Sequence, residues 1–197
     1  MIPNTFDLRQ FLLPIKKETK IAQCLPVVLC TIKEFYEHKN SAFWEYFSSD
    51  FIYHYRNKEN DSGMNLNDAI NISTTIGMLP EKYWNKDSIT QETLDTASKY
   101  KFNTYQFINS IDELKYSLFD NGPCYISLPM YNEHSYTFWI KEYPNEDKQC
   151  NHAMTVVGWT DDAFILRNSW GPKWGYSGYT FLQFNNWDLV TKCLTIK

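Results

Sequence analysis

The sequence predicts an α+β fold, a helical half followed by an antiparallel sheet half. Between Cys24 and His38, the residues Val28, Ile32, Phe35 and Tyr36 recur at three- and four-residue intervals, the mark of a helix with a buried face. After Asn121-Gly122-Pro123 the pattern changes to short runs rich in β-branched and aromatic residues. No internal repeat, low-complexity tract or Pro/Gly/Ser linker separates the two regions, so they are expected to pack directly, with a cleft between them as the natural ligand site.

Taken in order, Phe6-Asp7-Leu8-Arg9 leads to Pro14-Ile15-Lys16-Lys17 and reads as a short extended arm broken by proline. Residues 24–39 form a mostly buried helix, with Pro26 where a first turn tolerates it. A second helical pattern covers Ala42-Phe43-Trp44-Glu45-Tyr46-Phe47, and a third begins near Asn65 with Leu66, Ala69, Ile70 and Ile76. The polar run from Asn57 to Gly63 is a loop between them. Asp112–Leu118 is a further helix, stopped by Asn121-Gly122-Pro123. Four strands follow, at 124–128, 153–157, 163–167 and 179–182.

Composition narrows the function. With 43% hydrophobic and 17% aromatic residues, the 197-residue chain can build a real core, which sets disorder aside. A net charge of −4 with interspersed signs leaves no basic stripe, arguing against nucleic acid as a partner. No apolar run is long enough to span a bilayer, and Met1-Ile2-Pro3-Asn4 lacks the features of an export signal. The expectation is a soluble, unexported protein, intracellular or virion-associated, since richness in Asn, Lys, Tyr, Phe and Ile suits an AT-rich microbial or viral genome. Five cysteines are sparse, odd in number and without metal-site or redox-motif spacing, so no metal is implied. Cys150, two residues before His152, is a candidate redox-sensitive neighbour.

Thiol acyl transfer needs a thiolate, an imidazole to carry a proton, a polar group to orient the imidazole, and donors for the oxyanion. Cys24 precedes a helix, whose dipole and unpaired N–H groups lower a thiol pKa. His152 opens one strand and Asn168 ends the next, so two antiparallel neighbours bring both side chains to one edge. Singly, each of these residues is more often a core or turn residue. Their order and spacing make them a set.

The run Arg167-Asn168-Ser169-Trp170-Gly171-Pro172-Lys173-Trp174-Gly175-Tyr176-Ser177-Gly178-Tyr179 is the most specific stretch of the chain. Together with the Asp7-Leu8-Arg9 start, the Cys24 helix, the Asp61-Ser62-Gly63 loop and Asn151-His152-Ala153, it resembles the papain family of cysteine peptidases over nearly the whole sequence. His152 and Asn168 follow Cys24 by 128 and 144 residues, near the roughly 130–150 of that family.

The resemblance implies a papain-like two-subdomain domain over 1–197, with a helical part at 11–105 and a barrel-like β part at 1–10 and 106–197. It implies a Cys24–His152–Asn168 centre whose His152–Asn168 bond is shielded by Trp170, with Gly171, Gly175 and Gly178 in tight turns. It implies an extended polypeptide substrate held by the backbone at Ser62 and Gly63, with Met64, Asn151 and Ala153 near the pocket for the second residue upstream of the cut, and no cofactor. Glu18 stands where the family has a glutamine that donates to the oxyanion, and an ionised carboxylate can only accept. Gln23-Cys24-Leu25 also replaces the usual neighbours of the nucleophile. The functions in view are a thiol endopeptidase, an impaired descendant that binds peptide or protein, and another thiol acyl transfer. In style the chain is nearest to compact microbial or viral members. Met1 stands almost directly before the Asp7-Leu8-Arg9 start, so the expectation is either no prosegment or a trimmed chain.

Overall fold

The computed structural model describes residues 2–17, 22–41, 44–57 and 63–197. Helix α1, Cys24–Ser41, is its axis, with Leu25, Val28, Leu29, Ile32 and Phe35 buried. Even Lys33 and Glu34 are buried, because each has a local partner: Lys33 Nζ donates to the Lys101 carbonyl at 3.0 Å, and the Glu34 carboxyl accepts the Phe47 N–H at 3.0 Å. A helix covered on nearly every side is a core helix.

The second helix lies later than the aromatic run predicts. Residues 42–43 fall outside the described residues, Trp44–Phe47 are not helical, and Phe47 bridges Pro80. Helix α2 is Ser49–His54, started by Ser48, whose hydroxyl accepts the Phe51 N–H. Backbone bonds from Glu81 N to Tyr46 O and from Ser48 N to Leu79 O hold the preceding segment extended. An aromatic run fits either period, and the N-cap serine decides where the helix begins. Helix α3, Leu66–Thr75, is capped by Asn65 as the sequence suggests. Helix α4, Gln91–Ser98, was not anticipated; it buries only Ala97 and is held by a Thr90–Thr93 capping box.

Helix α5, Ile111–Asn121, is capped by Ser110 and ends at Gly122, whose φ of 95° only glycine adopts readily. The strands are β1 (Phe6–Asp7), β2 (Tyr105–Phe107), β3 (Cys124–Met130), β4 (Cys150–Trp159), β5 (Ala163–Arg167), β6 (Tyr179–Gln183) and β7 (Lys192–Ile196). They pair antiparallel in the order β2-β7-β3-β4-β5-β6, with β1 on β4. The arm after β1 is not extended throughout, since Arg9–Phe11 forms a 3-10 turn.

The result is an α+β architecture with a helical core and a sheet core. The helical core gathers Leu25, Val28, Phe51, Ile72 and Met78 and reaches Tyr125 and Leu194 in the sheet. The sheet core gathers Leu114 and Leu118 of α5 with Ile126, Met154, Phe164 and Leu182. A third cluster of Leu8, Leu12, Phe35, Val157 and Ile165 ties the N-terminal arm to α1 and the sheet. None of the described helices is long and apolar enough to cross a membrane.

The arm docks through a close approach at Gly158, beside the irregular register at Val156/Gly158. A Cβ there would lie 2.2 Å from the Phe6 carbonyl oxygen. Gly158→Ala is therefore expected to cost about 1–3 kcal/mol, as overpacking does, read as a lowered urea midpoint with unchanged m.

Candidate active site

The nucleophile candidate sits where α1 begins. Val27 N bonds Gln23 O at 3.1 Å, which makes Gln23 the N-cap and Cys24 the first helical residue. The N–H groups of Cys24 and Leu25 thus have no partner within the helix, and Pro26 has none to offer. The N–H groups of this first turn and the positive end of the helix dipole both favour anionic sulfur at this point. Gln23 is fully buried and its Nε2 donates to Asp50 at 2.8 Å. Ala22, just before it, has φ 73°, an uncommon conformation for a residue with a side chain.

His152 is the third residue of β4, and Asn168 immediately follows β5. The register pairs Thr155 with Arg167, so Asn168 leaves the sheet diagonally across from His152. The two side chains meet at 2.7 Å, His152 Nε2 to Asn168 Oδ1. The same Oδ1 accepts the Ser169 backbone N–H at 2.8 Å. A backbone N–H can only donate, so the atom facing both groups is the amide oxygen, and His152 must donate from Nε2. Nδ1 is then the nitrogen that carries the lone pair.

Both residues are buried, His152 at 4% exposure and Asn168 at 2%. Trp170 lies along the imidazole with ring centres 4.5 Å apart, and Phe138 meets it edge-on at 5.2 Å. In so dry a setting the hydrogen bond is stronger than in water. The loop that supplies Trp170 turns through Gly171, Gly175 and Gly178, all with positive φ, and is closed by Asn168 N to Gly178 O at 3.0 Å. At Gly175 a Cβ would lie 2.4 Å from the Tyr179 carbonyl oxygen.

Cys24 and His152 line one cavity of about 430 Å³ with Gly63, Met64, Asn151 and Trp170. Ala153 does not line it. Strand alternation turns Ala153 the other way, into the helical core. Glu18 and Ser62 lie outside the described residues. Cys150 lines the same cavity and is exposed as a residue, while partial desolvation of its thiol, and then the charge of Cys24, push the thiol up. None of the described cysteines is in a disulfide.

Sequence reasoning missed three supports. Phe138 comes from a loop without a motif. Arg167, beside Asn168, donates from its guanidinium to Leu13 O at 2.6 Å and Pro14 O at 3.3 Å, fastening the arm to the strand end. Glu34 lines a small cavity of about 60 Å³ with Arg167 and Asn168, and burial pushes its carboxyl up to about 7. A buried acid on a core helix was the one available signal.

The sequence model described as papain family cysteine protease matches residues 36–194, more than half of the chain, beginning within α1 downstream of Cys24. Cathepsin O of Homo sapiens is 26% identical over 89 residues, 43% of this chain and 28% of that protein. The viral cathepsin of Cydia pomonella granulosis virus is 28% identical over 107 residues, 52% of this chain and 32% of that protein. The matches thus span less than one third of either relative. Among solved structures, xylellain, a cysteine protease from Xylella fastidiosa, superposes with a TM-score of 0.87 at 23% identity, covering 100% of this chain and 87% of that one. A Carica candamarcensis cysteine protease in complex with E-64 gives 0.76 at 16% identity, covering 100% and 99%. These likenesses carry the fold, the family match carries the rest, and the chain belongs to the papain family of cysteine proteases.

Proposed function

We propose that the chain is a thiol endopeptidase in which Cys24 is the nucleophile, His152 the general acid and base, and Asn168 the residue that orients His152. The observation that carries this reading is the His152–Asn168–Ser169 arrangement, which leaves Nδ1 as the proton acceptor in a cavity shared with Cys24. His152 takes the Cys24 proton to form an ion pair, and the thiolate attacks a substrate carbonyl carbon. The oxyanion accepts from the Cys24 N–H at the start of α1. Collapse expels the amine as His152 protonates it, leaving a thioester. Water then attacks the thioester with His152 as base, releasing the acid and restoring the thiol.

The substrate is a polypeptide lying extended in the cleft between the 11–105 part and the part formed by 1–10 and 106–197. The backbone at Ser62 and Gly63 would pair with it, while Met64, Asn151 and Trp170 would flank it. Labelling with an epoxide or vinyl-sulfone thiol probe tests the nucleophile. Modification is expected at Cys24, mapped by mass spectrometry; no modification at Cys24 between pH 4 and 8 would sink the reading.

The second reading is an impaired descendant that holds a peptide or protein without cutting it, and Glu18 is the observation that favours it. A protonated Glu18 can donate to the oxyanion, whereas the ionised form cannot and repels it. Activity is therefore expected to rise toward acid pH, and Glu18→Gln to raise activity at neutral pH. Losing one such donor costs about 3–4 kcal/mol, so the gain should be on the order of 10²–10³-fold. An identical pH–rate profile in the variant would refute this role for Glu18.

A further inference from the structure

Behind α1, at the end opposite Cys24, lies a second cavity of about 410 Å³ that peptide cleavage does not use. Along the helix, Cys24 and His38 are separated by about 21 Å at 1.5 Å per residue. The N-terminal arm, the last turns of α1 and the end of α5 border it, and it opens to solvent. Its walls are Leu8, Phe35 and Leu118, with Phe11 and Phe119 at 44% and 45% exposure. Exposed aromatic rings gathered around an apolar cavity of this size, within the roughly 300–1,000 Å³ of ligand sites, mark a place where something apolar binds.

The polar character of the cavity is confined to the α1 end, where Lys39 and His38 line it. Lys39 is exposed and has no ion-pair partner among the described residues. His38 packs on Trp44 with ring centres 3.8 Å apart, and its Nδ1 is buried without a hydrogen-bond partner among the described residues. On the arm, Asp7 is held by Arg9 through hydrogen bonds of 2.7–3.0 Å, so its carboxylate is already neutralised. Strand alternation turns it away from the side that Phe6 and Leu8 present to the cavity. An apolar interior with one cationic rim matches a molecule with an apolar tail and one anionic head.

We propose that this cavity binds a straight-chain fatty carboxylate, its tail among Phe11, Leu118 and Phe119 and its head at Lys39. The proposal is independent of peptidase activity, and so is its test. Octanoate and octan-1-ol, which share a tail and differ in head group, are titrated into the purified chain by calorimetry. Saturable octanoate binding is expected. Lys39→Glu should weaken octanoate at least tenfold and leave octan-1-ol within twofold. Phe119→Glu should abolish binding of both. Lys39 is exposed, so its variant is expected to keep the parent's thermal unfolding curve and to carry the test if Phe119→Glu fails to fold. No saturable octanoate binding, or equal weakening of both compounds by Lys39→Glu, would overturn the proposal. So would a self-associated dimer, broken by Phe119→Glu, that occupies this face in place of octanoate.

Discussion

His152→Ala is expected to lower the rate of peptide cleavage by a factor on the order of 10⁴–10⁶, the range seen when the base of a nucleophile–base pair is removed. On the proposed mechanism one imidazole serves three steps: it creates the thiolate, protonates the amine and activates water. Each needs Nδ1 unprotonated or protonated at the right moment, and no other described side chain is fixed beside it in that way. The loss should reflect chemistry and not unfolding. Asn168 Oδ1 still accepts the Ser169 N–H when the imidazole is gone, so the buried amide oxygen keeps a partner. The check is turnover of an unfolded protein substrate together with circular dichroism of the variant. A residual rate within tenfold of the parent, in a folded variant, would remove His152 from the mechanism.

Stability is expected to fall by about 3 kcal/mol between pH 4.5 and 7 through Glu34 alone. Burial pushes this carboxyl from the ordinary 4.5 up to about 7, partly opposed by the bond from the Phe47 N–H and by the charge of Arg167. Between those two values the folded protein keeps a proton that the unfolded chain has released. The unfolded state is then favoured progressively as pH rises, and above about 7 the penalty is complete and constant. Glu34→Gln keeps an acceptor for Phe47 and has nothing to ionise. Its urea midpoint should therefore exceed the parent's at pH 8 and match it near pH 4.5. Parallel pH profiles for the two proteins would show that Glu34 titrates in the folded protein as it does in the unfolded chain.

What could be read from the sequence divides by the range of the forces involved. Helix α1 and strands β3–β6 are legible from their apolar periodicity and β-branched and aromatic runs, and Pro26, Gly122-Pro123 and Gly178 mark where α1, β3 and β6 begin. Helix α4 was hidden because it is polar and buries a single alanine. The helix expected at 42–47 was displaced because Ser48 caps and Tyr46 pairs with Glu81, which is a tertiary bond. Strand β2 has three residues, and it and β7 find their place through each other and through β3.

At the site, the order of Cys24, His152 and Asn168 was legible because a spacing and a glycine–tryptophan block accompany it. The geometry brings Cys24, Gly63, Met64, Asn151, His152 and Trp170 to one cavity, and Asn168 behind it. Phe138 and Arg167 were not legible, since one comes from an irregular loop and the other acts on carbonyls more than 150 residues away. Nothing local in a sequence encodes such partners.

The docking of the N-terminal arm also sets a timetable. Phe6 pairs with Trp159, and Arg167 grips the carbonyls of Leu13 and Pro14, so the arm cannot settle until residues near 160 exist. Contacts of such long sequence separation form late and slowly. On the ribosome the thiol of Cys24 is synthesised early, yet its imidazole partner and the strap that fastens the arm arrive together, more than a hundred residues later. On the proposed mechanism, competence to cut therefore waits until the chain has closed on itself.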